Sequence, residues 1–416
     1  MSKPSIGILS LGCPRNLVDS EAMMGRLKKK GYRINDVAAS DIAIINTCAF
    51  IKDAKKESID TILDLIELKK EGRIKKIVAC GCLVERYGKV LKKELPEVDA
   101  FIGAMSLNHS KERFPITPLH YAYLKICESC TNFCSFCIIP KIKGKFRSES
   151  ADSLLEKVKQ FDRNRVSELN IIGQDITSYG VDLSGKKMLP PFLKKILKTS
   201  KHIKWFRLLY FYPDLEVIDG FLDIMKDDPR VCRYIDLPLQ HINDRVLKLM
   251  NRHITKVEIL KIIERIRKKA PDAAIRTTLI VGFPGETDKD FSELSAFVKE
   301  TKFERLGVFS YSREEGTPAY SFKQQVPEAV KSERLDKIML MQQEISKDNN
   351  KKMLNKEISV IMEGKEENSY IGRSQFDAPE VDGQVFLRSA RVLKPGDIVK
   401  AKVTGFMEYD LIGELV

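Results

Sequence analysis

The residue pattern predicts an α/β fold in three parts: an amino-terminal parallel α/β domain (residues 1–115), a partial (β/α)6 barrel (116–354) and a small carboxy-terminal antiparallel β-barrel (355–416). Three observations predict it. Short apolar runs alternate with segments of helical apolar spacing through the first hundred or so residues, the pattern of a parallel sheet covered by helices. The same alternation resumes after a break at Pro115 and Pro118 and supplies six further strands. The final segment changes to short alternating strands punctuated by glycine turns.

The first part reads as strand Ile6–Leu11, helix Asn16–Lys30 ending at Gly31, strand Ile42–Asn46, and an amphipathic helix from Ala54 to Lys70 ended by Gly72. Strand Ile74–Ala79 and helix Val84–Leu95, stopped by Pro96, complete it. A hinge is expected between Lys111 and Tyr121. The second part reads as strands at Tyr123–Cys127, Glu168–Ile172, Phe206–Phe211, Tyr234–Leu237, Ile275–Val281 and Leu306–Phe309. Six strands suit an incomplete barrel better than the closed eight-stranded form. A helix over Glu328–Leu354 then leads to strands at Glu357–Met362 and Ile398–Val403, with turns at Asp382-Gly383 and Pro395-Gly396.

Chemistry concentrates in the cysteines. Cys130, Cys134 and Cys137 lie within eight residues, just after the first strand of the second part and so at the functional end of a barrel. A structural zinc site closes itself with four ligands, usually in two pairs, and no fourth Cys or His follows closely. Three thiolates suit an iron-sulfur cluster whose fourth iron is completed by something else. Cys13, Cys48 and Cys82 are 35 and 34 residues apart, and each falls just beyond the carboxyl end of a predicted strand. Open α/β sheets assemble their sites at that edge, so a second three-thiolate cluster is expected there. Cys80 lies inside its strand and reads as a small buried thiol, while Gly81 supplies the turn that aims Cys82 outward. Gly173-Gln174-Asp175 and Gly282-Phe283-Pro284-Gly285-Glu286 end later strands and are expected to face the same cavity.

Composition sets the class. With 43% apolar residues the chain can bury sizeable cores, and no window approaches the ~20 apolar residues needed to span a membrane. Met1–Gly12 reads as a strand rather than a signal peptide. Nine cysteines without an export signal point to reduced thiols in the cytoplasm. The net charge of +13 suggests an anionic partner, yet residues 357–416 hold eleven acidic and seven basic side chains, a net of −4. His109, His120, His202, His241 and His253 show no paired ligand spacing and read as structural or solvated.

Cys-x3-Cys-x2-Cys with Phe136 before the last cysteine resembles the signature of the radical S-adenosylmethionine (SAM) enzymes. The order of a three-cysteine domain, such a barrel and a small barrel of the TRAM type resembles the methylthiotransferase family. Within it, Leu11-Gly-Cys-Pro-Arg-Asn-Leu-Val-Asp-Ser-Glu21, Asn46-Thr-Cys-Ala-Phe50, Gly81-Cys-Leu83 and Gly372-Arg-Ser-Gln-Phe-Asp-Ala-Pro-Glu-Val-Asp-Gly383 are similar to the RimO branch, which acts on ribosomal protein twelve of the small subunit. Additional thiols at Cys80 and Cys127 depart from the family pattern.

The resemblance implies two 4Fe-4S clusters, held by Cys130, Cys134 and Cys137 and by Cys13, Cys48 and Cys82, with SAM as methyl donor and radical source. It implies replacement of C–H by C–SCH3 on the β-carbon of an aspartate. A radical suits that task, because such a hydrogen is too weakly acidic for a protein base at neutral pH. Phe136 is expected near the adenine, and Gln174, Asp175 and Arg276 at the methionyl or ribose end of the cofactor. A flavodoxin-like or ferredoxin-like low-potential electron donor and a sulfur donor are implied partners, and nucleic acid is not required. The rival is methylthiolation of a transfer RNA adenosine, which the basic charge favours and the acidic terminal barrel opposes. A non-catalytic iron-sulfur carrier accounts for the thiols but not for the barrel.

Overall fold

The computed structural model describes residues 3–104, 112–367 and 369–416, so His109 and the start of the expected hinge lie outside the described residues. The amino-terminal part is a five-stranded, fully parallel sheet. Its centre is formed by Ser5–Ser10, Ile42–Thr47 and Lys76–Gly81, as the apolar runs predict. Two short edge strands, Arg33–Ile34 and Ala100–Ile102, carry too few residues for a periodicity to reveal them. Helices Pro14–Lys29, Lys52–Lys70 and Cys82–Glu94 follow the three central strands.

The second part is a partial barrel of six parallel strands in two groups of three. One holds Tyr121–Lys125, Glu168–Ile172 and Trp205–Leu208, the other Tyr234–Asp236, Ala274–Val281 and Arg305–Ser310. A parallel bridge between Phe206 and Val231 joins the groups. The largest core lies between these strands and their covering helices, among them Lys256–Lys269 and Asp288–Thr301, each opened by a capping box.

Helix Glu328–Lys351 runs on to a closed five-stranded barrel. Four of its pairings are antiparallel, but Val385–Arg388 and Leu411–Leu415 run parallel. Direction cannot alternate around a ring with an odd number of strands, so one like-directed pair is unavoidable.

The described portion of the expected hinge is docked on the first helix. Arg113 makes a two-pronged ion pair with buried Glu21 at 2.6 and 2.9 Å, and the Ile116 N–H donates to the same carboxylate at 3.0 Å. Two prolines signal irregular chain, not whether it is docked. No helix among the described residues is long and apolar enough to cross a membrane.

Candidate active site

The first strand of the barrel delivers the chain to Cys127–Glu128, and the cysteine loop follows. Ser129 and Phe133 take left-handed backbone angles, φ 67° and 46°, which fold this loop back on itself. Asn132 secures it: its backbone N–H and its Nδ2 donate to Cys130 Sγ at 3.4 and 3.2 Å, and Nδ2 also donates to Asp175 Oδ2 at 2.8 Å. Arg252 Nη1 lies 3.8 Å from Cys134 Sγ. Burial pushes the Cys130 thiol up to about 11 and that of Cys137 to about 12, so ionisation there calls for a compensating positive centre.

The amino-terminal triad stands at the carboxyl ends of the three central strands, where Cys13 caps the first helix, Cys48 follows Thr47 and Cys82 opens the third helix. Two asparagines hold these ends together. Asn16 Nδ2 donates to Leu11 O and Thr47 O, and Asn46 Nδ2 donates to Asn16 O and Ser20 Oγ. Cys82 interacts electrostatically with both Cys13 and Cys48. Burial raises the Cys13 thiol, but the charge and hydrogen bond of Arg15 outweigh it and leave it below its ordinary value. Gly81 sits at φ 94°, the turn the sequence requires. Among the described residues no three His, Cys, Asp or Glu side chains close around one metal ion. Three thiols at three strand ends are one donor short of a closed structural zinc site, and as a donor set they suit three irons of a cluster.

A cavity of about 360 Å³ is lined by Cys130, Cys134 and Cys137 and reaches Arg15. Phe136, Gln174, Asp175 and Arg276, all expected from the sequence, line it too. Two buried polar atoms beside it have no hydrogen-bond partner among the described residues, Gln174 Oε1 and Arg252 Nε. An unpaired acceptor and an unpaired donor at one cavity are costly unless a ligand satisfies them. Asp175 is occupied with its own loop, accepting from the Thr177 N–H, Ser178 Oγ and Asn132 Nδ2. Arg276 pairs with Asp236 and Asp382, both at 3.3 Å. Phe136 packs edge-on against Phe283.

The Gly282–Glu286 expectation is corrected: those residues stand behind the cavity wall. Phe283 is buried among Phe136, Tyr311 and Phe322, and Glu286 pairs with Arg334 of the long helix at 2.8 Å. Cys80 is buried in its strand, and Cys127 Sγ donates to Asp175 O at 3.4 Å, so neither thiol lines the cavity. The acidic stretch of the terminal barrel is also turned inward in part. Asp377 pairs with Arg305 at 2.5 Å, Asp382 accepts from Tyr234 Oη at 2.6 Å, and Glu380 accepts from Tyr121 Oη at 2.8 Å. This stretch brings Ala378 and Val381 to the cavity, which Phe50 of the amino-terminal part and Phe309 of the barrel also line.

Sequence reasoning missed Arg15, Asn132, Arg252, Val381 and the pair Tyr210 and Tyr212. Arg15 and Asn132 stood inside or beside the cysteine motifs, whereas Arg252 carried no signal because it reaches the site from a distant loop.

Comparisons with known proteins agree with this arrangement. Residues 5–103 match the model of the uncharacterized protein family UPF0004, 124–298 that of the radical SAM superfamily and 356–416 that of the TRAM domain. The ribosomal protein uS12 methylthiotransferase RimO of Thermoanaerobacter sp. (strain X514) is 47% identical over 437 residues, covering 99% of each chain. That of Geobacter sulfurreducens is 44% identical over 446 residues, covering 100% of this chain and 99% of its own. Among solved structures, the radical SAM methyltransferase TsrM from Kitasatospora setae, with cobalamin and a [4Fe-4S] cluster bound, superposes with a TM-score of 0.56 at 11% identity over 77% of each chain, a likeness of fold. On full-length identity at this level, the chain belongs to the family of ribosomal protein uS12 methylthiotransferases RimO, radical SAM enzymes with a terminal TRAM domain.

Proposed function

We propose that this chain converts C–H to C–SCH3 on the β-carbon of an aspartate of ribosomal protein uS12, in the cytoplasm, using two 4Fe-4S clusters and SAM. Cys130, Cys134 and Cys137 hold one cluster, and Cys13, Cys48 and Cys82 the other. When bound, these groups supply a radical able to take an unactivated hydrogen and the sulfur and methyl that replace it. Electrons come from a flavodoxin-like or ferredoxin-like donor, and sulfur from a separate donor. The observation that carries the reading is the pair of thiol triads at the strand ends of two sheets, linked through Arg15, which touches Cys13 and lines the cavity of the other triad.

The chain's own residues bind, orient and exclude water. Arg252 Nε and Gln174 Oε1, both without hydrogen-bond partners among the described residues, suit the carboxylate and ammonium of the cofactor's methionyl end. Phe136, braced by Phe283, offers an apolar edge for the adenine. Asp175 holds the cysteine loop through Asn132. Tyr210, Tyr212 and Phe309 narrow the cavity and keep water from the reacting atoms.

The test is the intact mass of purified uS12 after incubation with anaerobically reconstituted, reduced enzyme and SAM, with bulk transfer RNA in parallel. One methylthio group gained by the protein, and lost in Cys134→Ala and in Cys48→Ala, is the expected result. Modification of transfer RNA alone overturns the substrate assignment.

A further inference from the structure

We infer that Arg15 recognises the side-chain carboxylate of the substrate and so fixes its β-carbon beside the amino-terminal thiols. This rests on the aspartate reading above. Three observations carry it. First, Arg15 has no carboxylate partner among the described residues, whereas the buried and half-buried arginines where the barrel meets the terminal barrel do. Arg276 has Asp236 and Asp382, Arg305 has Asp377, and Arg207 and Arg373 share Glu168. Glu128 lies near enough to attract Arg15 but is held by Lys125 at 2.7 Å and Lys143 at 3.6 Å. A guanidinium whose one anionic contact among the described residues is the Cys13 sulfur keeps donors free for a second anion, and an incoming carboxylate gains a charge-assisted pair there.

Second, the group is held with part of its fork unused. Nε donates to Cys13 Sγ at 3.4 Å and Nη1 to Gly173 O at 3.0 Å, leaving one Nη1 hydrogen and both Nη2 hydrogens for a ligand. The face is stacked on Tyr210, 4.4 Å from the ring centroid. Tyr210 is itself at φ 70°, an unfavourable backbone for a non-glycine residue, and is kept there by its N–H donating to Asp236 Oδ2 at 2.8 Å. Third, the position matches the chemistry. Arg15 both lines the cavity and touches Cys13, so a carboxylate seated on it brings the adjacent carbon next to the amino-terminal triad. The cavity's other guanidinium without a carboxylate, Arg252, stands instead against Cys134 and the stacked Tyr212.

The test measures anaerobic binding of uS12 to the reconstituted holoenzyme by anisotropy, using uS12 with its target aspartate intact and with that aspartate changed to asparagine. Wild type is expected to bind the asparagine form about 10- to 100-fold more weakly, the loss of a hydrogen-bonded charge. Arg15→Gln is expected to bind both forms equally weakly with iron content unchanged, and Arg15→Lys to regain part of the discrimination. Equal binding of the two forms by wild type overturns the inference, as does discrimination that persists in Arg15→Gln. Should Arg15→Gln lose iron, the wild-type comparison and Arg15→Lys still decide. Methylthiolation of uS12 by wild type with no aspartate-to-asparagine effect refutes this inference alone. No methylthio product from wild type refutes the functional reading and this inference with it.

Discussion

Glu168→Gln should detach the terminal barrel from the radical SAM barrel at modest denaturant. Glu168 is fully buried and serves two arginines, Arg207 Nε at 2.8 Å and Arg373 Nη2 at 2.5 Å. Arg373 keeps a second carboxylate, Glu363, at 2.7 Å, but among the described residues Arg207 has no other and retains carbonyls of the terminal barrel and the Tyr234 ring. Stranding one buried charge costs about 3–5 kcal/mol, and the partial compensation at Arg373 places this variant near about 3 kcal/mol. The chain's single tryptophan reports the event, because Trp205 is buried in a cluster shared by barrel residues such as Tyr121 and terminal-barrel residues such as Ile361 and Ala378. With a urea slope of about 3 kcal/mol per M, the Trp205 fluorescence midpoint falls by about 1 M. Removing the stranded charge as well, in Glu168→Gln with Arg207→Met, should recover at least about 1 kcal/mol. The acid limb carries a second signature. Burial raises the Glu168 carboxyl, but Arg373 and Arg207 outweigh it and leave it below its ordinary range. Its stabilisation is therefore complete above the unfolded value of about 4.3 and fades as pH falls toward the lower folded value, a slope the variant lacks. A midpoint shift under about 0.2 M, or a double variant no more stable than the single, refutes the reasoning.

Three further outcomes are expected. Burial lowers His241 to about 4, with Asp290 and Glu293 attracting its proton and Arg245 and Arg334 repelling it, while its Nε2 lies 3.8 Å from Glu286 Oε2 without a hydrogen bond among the described residues. Its stabilising contribution is thus complete above the unfolded value of about 6.5 and lost as pH falls through about 4. The His241 contribution should drop by about 2 kcal/mol between pH 7 and pH 5, read in urea melts as the difference in pH dependence between wild type and His241→Phe, because Glu286, raised by burial to about 7, gains stability over the same window. Gly12→Ala places a Cβ 2.7 Å from Cys48 Sγ at a residue with φ 83°. On the two-cluster proposal, iron content after reconstitution should fall by about half, the loss confined to the amino-terminal thiols. Val381→Asp puts a charge at the cavity wall on a side chain that is 59% exposed. The KM for uS12 should rise about tenfold, with stability changed by less than about 0.5 kcal/mol.

Much of the site was legible because its chemistry is local or periodic. Three thiols within eight residues point to a cluster by spacing alone, and strand-helix alternation is enough to place Cys13, Cys48 and Cys82 at one sheet edge, where a second is proposed. The six barrel strands and the small terminal barrel follow from the apolar pattern in the same way. What tertiary structure decided is which side chains from distant segments meet. Arg252 reaches Cys134 from 118 positions away. Arg15, read only as part of a motif, gains its meaning from Tyr210 and from the absence of a carboxylate among the described residues near it. The terminal barrel read as net acidic, yet its Asp377 and Asp382 turn inward to pair with the half-buried Arg305 and Arg276. Sequence periodicity encodes which face of an element is buried. Pairing of buried charges depends on what the opposing element presents, and only the packed chain specifies that.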